Sequence, residues 1–253
     1  MALRDGAEDL FARTRSFSSQ LYHRSQTSCG VSRPWRGVAG IIPRVGTAIH
    51  GFVECRTWEL GRENGDTAWY SAVSLSMLGM TRDCGACDCL FGVPESGRWR
   101  PVAPARGIPR DAAELTRNDF ESLGEAAFGA TFLGWREAAA IDWDEPALLA
   151  ADIVQYRRRP DQGLELVHRS VWDHGFAAVS GIDTAAVSPD RVPELFAEGT
   201  EWTAGDTVFR VERARRREVV PPDGAWEAVW TVMRALARMH GDDGVRLVTW
   251  FEG

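Results

Sequence analysis

The feature that most constrains this chain is the alternation of residue types over residues 46–56, which read Gly-Thr-Ala-Ile-His-Gly-Phe-Val-Glu-Cys-Arg. Successive side chains of a β-strand point to opposite faces, so this stretch predicts a strand whose odd-numbered residues lie on one face and even-numbered residues on the other. His50 and Glu54 therefore share a face. At about 3.3 Å per residue they lie about 13 Å apart, too far to ligate one metal ion or to share one proton directly.

The composition of the chain changes just before this strand. Residues 1–44 are rich in Arg and Ser and carry Pro or Gly at positions 34, 37, 40 and 43. Such a segment, without a sustained hydrophobic period, is typical of a loosely ordered terminal extension. An arm that binds an acidic partner is the alternative interpretation. We predict two parts, an extension over 1–44 and a single folded domain over 45–253.

Three later features predict the class of that domain. The pair Asn64-Gly65 favours a tight hairpin turn between two strands. Residues 225–240 carry apolar side chains at helical spacing and are followed by a buried-looking strand over 245–251. The expected fold class is α+β, a mainly antiparallel sheet packed against a few helices, with the C-terminal helix followed by a strand.

The middle of the chain supports more local predictions. Residues 94–109 contain four prolines and are expected to form a loop. Asp111 is a predicted N-cap for a helix over 112–123, because its short carboxylate can accept a hydrogen bond from the first helical turn. A second helix is predicted over 148–156, and 207–213 is predicted to be a strand.

Composition and charge exclude several classes of protein. The net charge of −7 argues against nonspecific nucleic-acid binding, which needs a basic face. No apolar run approaches the roughly 18 residues that span a bilayer, and the N-terminus lacks the apolar core of a secretory signal. We therefore expect a cytoplasmic protein that does not bind membranes. Eleven tryptophans raise the expectation of a binding surface that carries large amphipathic rings.

The cysteines give a weak signal for a metal site. Cys84, Cys87 and Cys89 are crowded together, and Cys55 is a conceivable fourth soft ligand. No second Cys-x-x-Cys pair or His pair follows, so we predict no metal ligands in this chain. An odd total of five cysteines is also a poor pattern for a disulfide framework, and reduced thiols are expected.

Three segments together resemble a known family. They are Val45-Gly-Thr-Ala-Ile-His-Gly-Phe-Val-Glu, Arg82-Asp-Cys-Gly-Ala-Cys-Asp-Cys-Leu-Phe-Gly-Val and Val245-Arg-Leu-Val-Thr-Trp-Phe-Glu. The pattern resembles uncharacterised proteins of tailed phages, prophages and actinobacteria that open Met-Gly-Thr-Asp-Ile-His-Gly. The resemblance implies an initiator methionine at position 45, so that residues 1–44 would be an upstream addition.

The chain departs from this family pattern at two acidic positions. Ala48 and Gly85 stand where the family carries Asp. On a strand, positions 48 and 50 share a face about 7 Å apart, so an Asp-x-His pair could bind a metal or orient an imidazole. The resemblance therefore implies that this chain lacks the Asp-x-His pair at positions 48 and 50, which an enzymatic member of the family would use for catalysis.

His50 and Asp83 are the candidate catalytic residues. A histidine can serve as a general base or a ligand, and a carboxylate brought beside it by the fold would complete an acid–base pair. The alternative for His50 is a half-buried strand histidine that is hydrogen-bonded to a neighbour. The sequence contains no phosphate-binding loop, nucleophile elbow or zinc-protease motif that would identify a reaction or a cofactor.

Four further residues are candidate ligand-binding groups. Arg98 and Arg106 lie in the proline-rich loop, where guanidinium groups could hold a phosphate or carboxylate. Asp142 and Trp143 form part of an acidic cluster, whose alternative role is a solvated turn. The function expected first is a phage- or prophage-type accessory protein that binds a small molecule or host protein through a tryptophan-rich surface. The alternative is a metal-assisted hydrolase that uses His50 with nearby acidic residues.

Overall fold

The computed structural model describes residues 47–57, 68–80 and 82–253, and all of them fall in one compact unit. The predicted extension over 1–44 and the Asn64-Gly65 turn lie outside the described residues. The strands are β1 Ala48–Thr57, β2 Ala68–Ser74, β3 Ala127–Gly134, β4 Asp152–Arg159, β5 Gly163–His168, β6 Glu201–Ala204, β7 Thr207–Glu212 and β8 Val245–Glu252. The α-helices are α1 Cys84–Phe91, α2 Glu114–Ser122, α3 Trp135–Ala139, α4 His174–Ser180, α5 Val192–Leu195, α6 Arg216–Val219 and α7 Glu227–His240.

The strands form two four-stranded antiparallel sheets. The first has the order β2-β1-β8-β3 and the second has the order β5-β4-β7-β6. The α+β class and the C-terminal helix followed by a strand are therefore confirmed. None of the helices in the described residues is long and apolar enough to span a membrane.

The stretch that alternates over residues 46–56 contains β1, which is one of the two inner strands of the first sheet. Its odd-numbered face joins the main hydrophobic core, where Val53 packs with Leu247 of β8 and with Val229 and Met233 of α7. The even-numbered face lies under α2, whose Phe120 packs edge-on against Trp250 at 5.7 Å. Both faces of β1 are therefore covered, and they are covered by different helices.

Gly51 is required where β1 approaches β8. Its φ angle is +147°, and an added Cβ would lie 2.1 Å from the carbonyl oxygen of Val248. Only glycine combines this backbone conformation with so close an approach of a neighbouring strand.

The second sheet has its own smaller core. Ile153 of β4 and Val211 of β7 pack with Phe176 of α4 and with Val192 of α5. An ion pair between Arg98 and Asp152 joins the start of β4 to the loop between α1 and α2, with 2.5 Å between Nη2 and Oδ2.

Two local predictions are wrong. Residues 152–159 form strand β4 rather than the end of a helix, because Ile153 and Val154 are both buried on opposite faces of the sheet. A strand covered on both faces has a continuous apolar run, which periodicity alone does not separate from a helix. The N-cap of α2 is Ala113 rather than Asp111, whose carboxylate is directed to other partners.

Candidate functional site

His50 lies on β1 beside the end of β8. Its Nε2 is 3.0 Å from Oε2 of Glu252, and its ring stacks on Trp250 with 6.4 Å between ring centroids. Glu252 pairs directly with Ala48 across the β1–β8 ladder. Cross-strand neighbours share a face, so a carboxylate from β8 reaches the histidine from beside Ala48.

Asp83, the second candidate catalytic residue, caps helix α1. Its carboxylate accepts hydrogen bonds from the Ala86 backbone N–H at 3.1 Å and from the Trp226 indole N–H at 3.1 Å. Burial raises the pKa of Asp83, and these two hydrogen bonds oppose the rise. These contacts make Asp83 an anchor for α1 and Trp226, whereas His50 is bonded to Glu252.

The two candidate arginines are engaged in ion pairs. Arg98 binds the buried carboxylate of Asp152, as described above. Arg106 makes a two-pronged contact with Glu137, with distances of 2.9 and 3.0 Å, and also donates to the carbonyl groups of Val102 and Phe132. Both guanidinium groups therefore tie the proline-rich loop to the rest of the domain.

Asp142 and Trp143 also make local contacts. The Asp142 carboxylate accepts a hydrogen bond from the backbone N–H of Asp144 at 2.9 Å, which closes a tight turn. The Trp143 ring packs against Trp230 of α7 with a centroid separation of 6.1 Å. The predicted binding roles of all four ligand-binding candidates remain predictions.

A different part of the fold forms an open cleft. It has a volume of about 750 Å³ and lies between the first half of β2 and the N-terminal half of α2. The cleft is lined by Ala68, Trp69, Tyr70, Ser71, Asp111, Ala112, Ala113, Glu114, Leu115 and Asn118. A hydrogen bond of 2.8 Å between the hydroxyl groups of Ser71 and Thr116 holds the strand and the helix together beneath it.

A buried ion pair supports the wall of this cleft. Glu54 is fully buried, and its carboxylate accepts hydrogen bonds from Arg246 Nε at 2.8 Å and from the Ala113 N–H at 2.9 Å. Arg246 also donates to Asp111, through Nη1 to Oδ1 at 2.8 Å and through Nη2 to the carbonyl oxygen at 3.1 Å. The pair therefore positions both Asp111 and the start of α2.

The same network fixes the ring of Trp69. The Trp69 indole N–H donates to Asp111 Oδ2 at 2.9 Å, and the Arg246 guanidinium carbon lies 3.8 Å from the ring centroid. The Arg56 guanidinium carbon lies 4.7 Å from the same ring. A hydrogen bond at one edge and cations near the ring leave the indole little rotational freedom.

The cleft has an acidic lining. The charged residues among those that line it are Asp111 and Glu114, and the side chain of Asp111 keeps 58% of its surface exposed. Burial alone would raise the pKa of Asp111, but hydrogen bonds and charge from Arg246, with the Trp69 bond, together lower it. Asp111 is therefore a carboxylate at neutral pH with part of its surface facing the cleft.

The cysteines and acidic residues assemble no metal centre in the part of the chain that the structure describes. No group of three or more His, Cys, Asp or Glu side chains there is arranged to hold an ion. Cys55 and Cys89 are buried free thiols, and Cys87 is also buried. Burial raises the pKa of Cys89 to about 11 even though Arg216 lies beside it.

Comparison with known proteins gives no relative. No family model, no curated protein and no solved structure matches the chain.

The cleft residues carried weak signals in the sequence. Trp69 and Asp111 stand 42 residues apart, and Arg246, which also binds Asp111, lies a further 135 residues along the chain. Glu54 and Arg246 each lie within a stretch that the sequence predicts to be a strand. A charged residue inside an otherwise apolar strand suggests a buried partner. The sequence does not show the strand register that brings these two residues together.

Proposed function

We propose that the protein is a non-enzymatic binding protein, of the phage or prophage accessory type that its sequence resembles, and that its ligand site is the β2–α2 cleft. The observation that carries this proposal is the cleft itself, an open space of about 750 Å³ beside an aromatic ring that is held by a buried ion pair. Ligand sites typically occupy about 300–1,000 Å³ and combine apolar surface with a few placed polar groups.

The rigidity of the wall favours binding. Trp69 and Asp111 hold each other by a hydrogen bond and are both anchored to Arg246. A site that is ordered before the ligand arrives pays less conformational entropy when the ligand binds. Leu115 adds an exposed apolar side chain, with 57% of its surface accessible, on the opposite side of the cleft. The small molecule or host protein expected from the sequence would bind here rather than on the arginine loop.

The proposal is tested by amide and indole NMR spectra of the full chain during a screen of small aromatic and cationic fragments. Fragments that bind are expected to shift the indole signal of Trp69 and the amide signals of Ser71 and Asn118. Leu115→Arg, which fills the cleft, should abolish these shifts. Leu149→Arg is the matched control, because Leu149 is also an exposed leucine and lies outside the cleft. Shifts that survive Leu115→Arg would contradict the proposed site.

A second candidate function is a metal-assisted hydrolase that uses His50. The observation that favours it is the 3.0 Å contact between His50 Nε2 and the Glu252 carboxylate, since a carboxylate beside an imidazole can orient it as a general base. Activated esters with and without added Zn²⁺ or Mn²⁺ provide the test. Hydrolysis that is lost in both His50→Ala and Glu252→Gln would support this candidate, and equal rates in the wild-type and both variants would eliminate it.

A further inference from the structure

The lining of the β2–α2 cleft indicates that the cleft reaches the edge of strand β2. Four consecutive residues of β2, at positions 68–71, line it. Successive side chains of a strand point to opposite faces, so a pocket over one face would contact alternate residues. Contact with every residue in turn is expected when a pocket lies beside the backbone, in the plane of the sheet.

No described strand pairs with the outer edge of β2. Among the described strands β2 is the last member of its sheet, and its partner is β1 on the inner side. Within the described part of the chain, the backbone hydrogen bonds of residues 68–73 are those of this ladder with β1. A strand edge without a pairing partner offers backbone N–H and C=O groups to another extended chain.

The wall of the cleft opposite β2 consists of residues 111–115 and Asn118, and its chemistry determines which side chains a bound segment should carry. Asp111 and Glu114 are acidic, and no Lys, Arg or His is among the described residues that line the cleft. Asp111 pairs with Arg246 and Arg56, whereas no ion pair of Glu114 is found among the described residues, so Glu114 is the carboxylate that a basic side chain would meet. Leu115, which lies between Glu114 and Asn118 along α2, adds an exposed apolar side chain to this wall. Opposite charges across an interface favour and orient binding, so an occupant with a basic side chain fits this wall.

We propose that the occupant of the cleft is an extended segment of a partner protein, carrying lysine or arginine, which adds as a fifth strand to the edge of β2 and lies against α2. This inference rests on the proposed function of the cleft and names its ligand class. Strand addition draws affinity from main-chain hydrogen bonds, while pockets for alternate side chains give specificity. The groove between an edge strand and a helix supplies both.

The experiment begins with a display library of random peptides selected on the immobilised full chain. The selected sequence is then made as a fluorescein-labelled synthetic peptide, and its dissociation constant is measured by fluorescence anisotropy. Enrichment of lysine or arginine among apolar or β-branched residues is expected. Glu114→Lys should weaken binding at least about tenfold, because it replaces attraction by repulsion in the cleft. Glu121→Lys is the matched control, because Glu121 is also an exposed glutamate of α2 and lies outside the cleft, and this variant should bind like the wild-type.

A second peptide, methylated at every other backbone nitrogen, tests the strand pairing itself. Methylation removes the N–H donors on one edge but keeps the side chains, so binding should weaken by at least about tenfold. Equal affinity of the methylated peptide in both methylation registers would overturn strand addition.

Three further outcomes would also overturn the inference. They are selection of no peptide, selection of peptides whose binding is unaffected by Glu114→Lys, and concentration-dependent self-association of the chain that Glu114→Lys abolishes. The last outcome would identify a second copy as the occupant. If fragments still shift the Trp69 signal while peptides fail, the inference falls and the proposed function stands. If neither ligand class reaches the cleft, both fall.

Discussion

Replacing Arg246 by methionine tests whether the buried ion pair determines the stability of the first sheet. Methionine keeps most of the unbranched side-chain volume but removes the charge and three hydrogen bonds, one to Glu54 and two to Asp111. The carboxylate of Glu54, which is fully buried, is left with the Ala113 N–H. Removal of one partner from a buried pair leaves an uncompensated charge, and this costs about 3–5 kcal/mol.

The structure indicates which of the lost contacts produces this cost. The side chain of Asp111 is 58% exposed, so water can replace much of what Arg246 provides there, and such contacts contribute about 0–1 kcal/mol. The bond to Glu54 lies where water does not reach. Most of the loss is therefore expected from Glu54.

The assay is urea unfolding at neutral pH, followed by tryptophan fluorescence, which gives the free energy of unfolding from the midpoint and slope. Arg136→Met is the matched control. Arg136 makes an equally short ion pair, 2.7 Å from Asp243, but the two side chains are 68% and 80% exposed. We expect this variant to lose less than about 1 kcal/mol. The reasoning is refuted if Arg246→Met and Arg136→Met lose the same free energy.

Two other predictions concern pH and backbone strain. Burial raises the pKa of Tyr156 to about 12, and the hydrogen bonds to Glu212 are the second largest cause of this rise. The folded chain therefore holds the phenol proton more tightly than the unfolded chain. The contribution of Tyr156 to stability should therefore fall as pH rises from about 10 to about 12, and an ultraviolet titration should show a late phenolate step. Tyr156→Phe should remove that step and lessen the fall in stability, while the raised pKa of Cys89 keeps part of the pH dependence. Gly51→Ala should cost at least about 3 kcal/mol in urea unfolding because its Cβ would meet a backbone oxygen. Gly205→Ala, which meets no atom within 4 Å, should cost about 1–2 kcal/mol, and equal costs for both would contradict the steric argument.

The sequence predicted the parts of the fold whose patterns are local. The alternation in β1 and the helical spacing before β8 each specify an element without reference to the rest of the chain. Strand β4 was missed because Ile153 and Val154 are buried on both faces, which removes the alternation. Local patterns therefore did not predict the secondary structure of β4, because burial of both of its faces in the folded chain determined its residue types.

The candidate site was less predictable, because its geometry depends on the pairing of distant strands. Glu252 reaches His50 only through the antiparallel register of β1 and β8. Asp111 is of a residue type that is common at helix N-caps. Its carboxylate instead accepts a stronger, charge-assisted hydrogen bond from the guanidinium group of Arg246, which lies 135 residues further along the chain. A single sequence contains these residues but not the register that brings them together.

The buried ion pair is itself an argument for the cleft. A buried pair often contributes no more stability than apolar side chains of similar volume, so stability alone does not explain why β1 and β8 carry Glu54 and Arg246. What apolar residues would not supply is the set of bonds from Arg246 that orients Asp111 and Trp69 at the wall. In the double variant Glu54→Gln/Arg246→Met, glutamine still accepts from Ala113 and no charge is stranded. We expect it to regain about 1–3 kcal/mol relative to Arg246→Met alone. Both variants should bind cleft ligands more weakly than the wild-type, because both lack the bonds from Arg246 that orient Asp111 and Trp69. Recovery of binding together with stability would mean that the pair serves the fold alone.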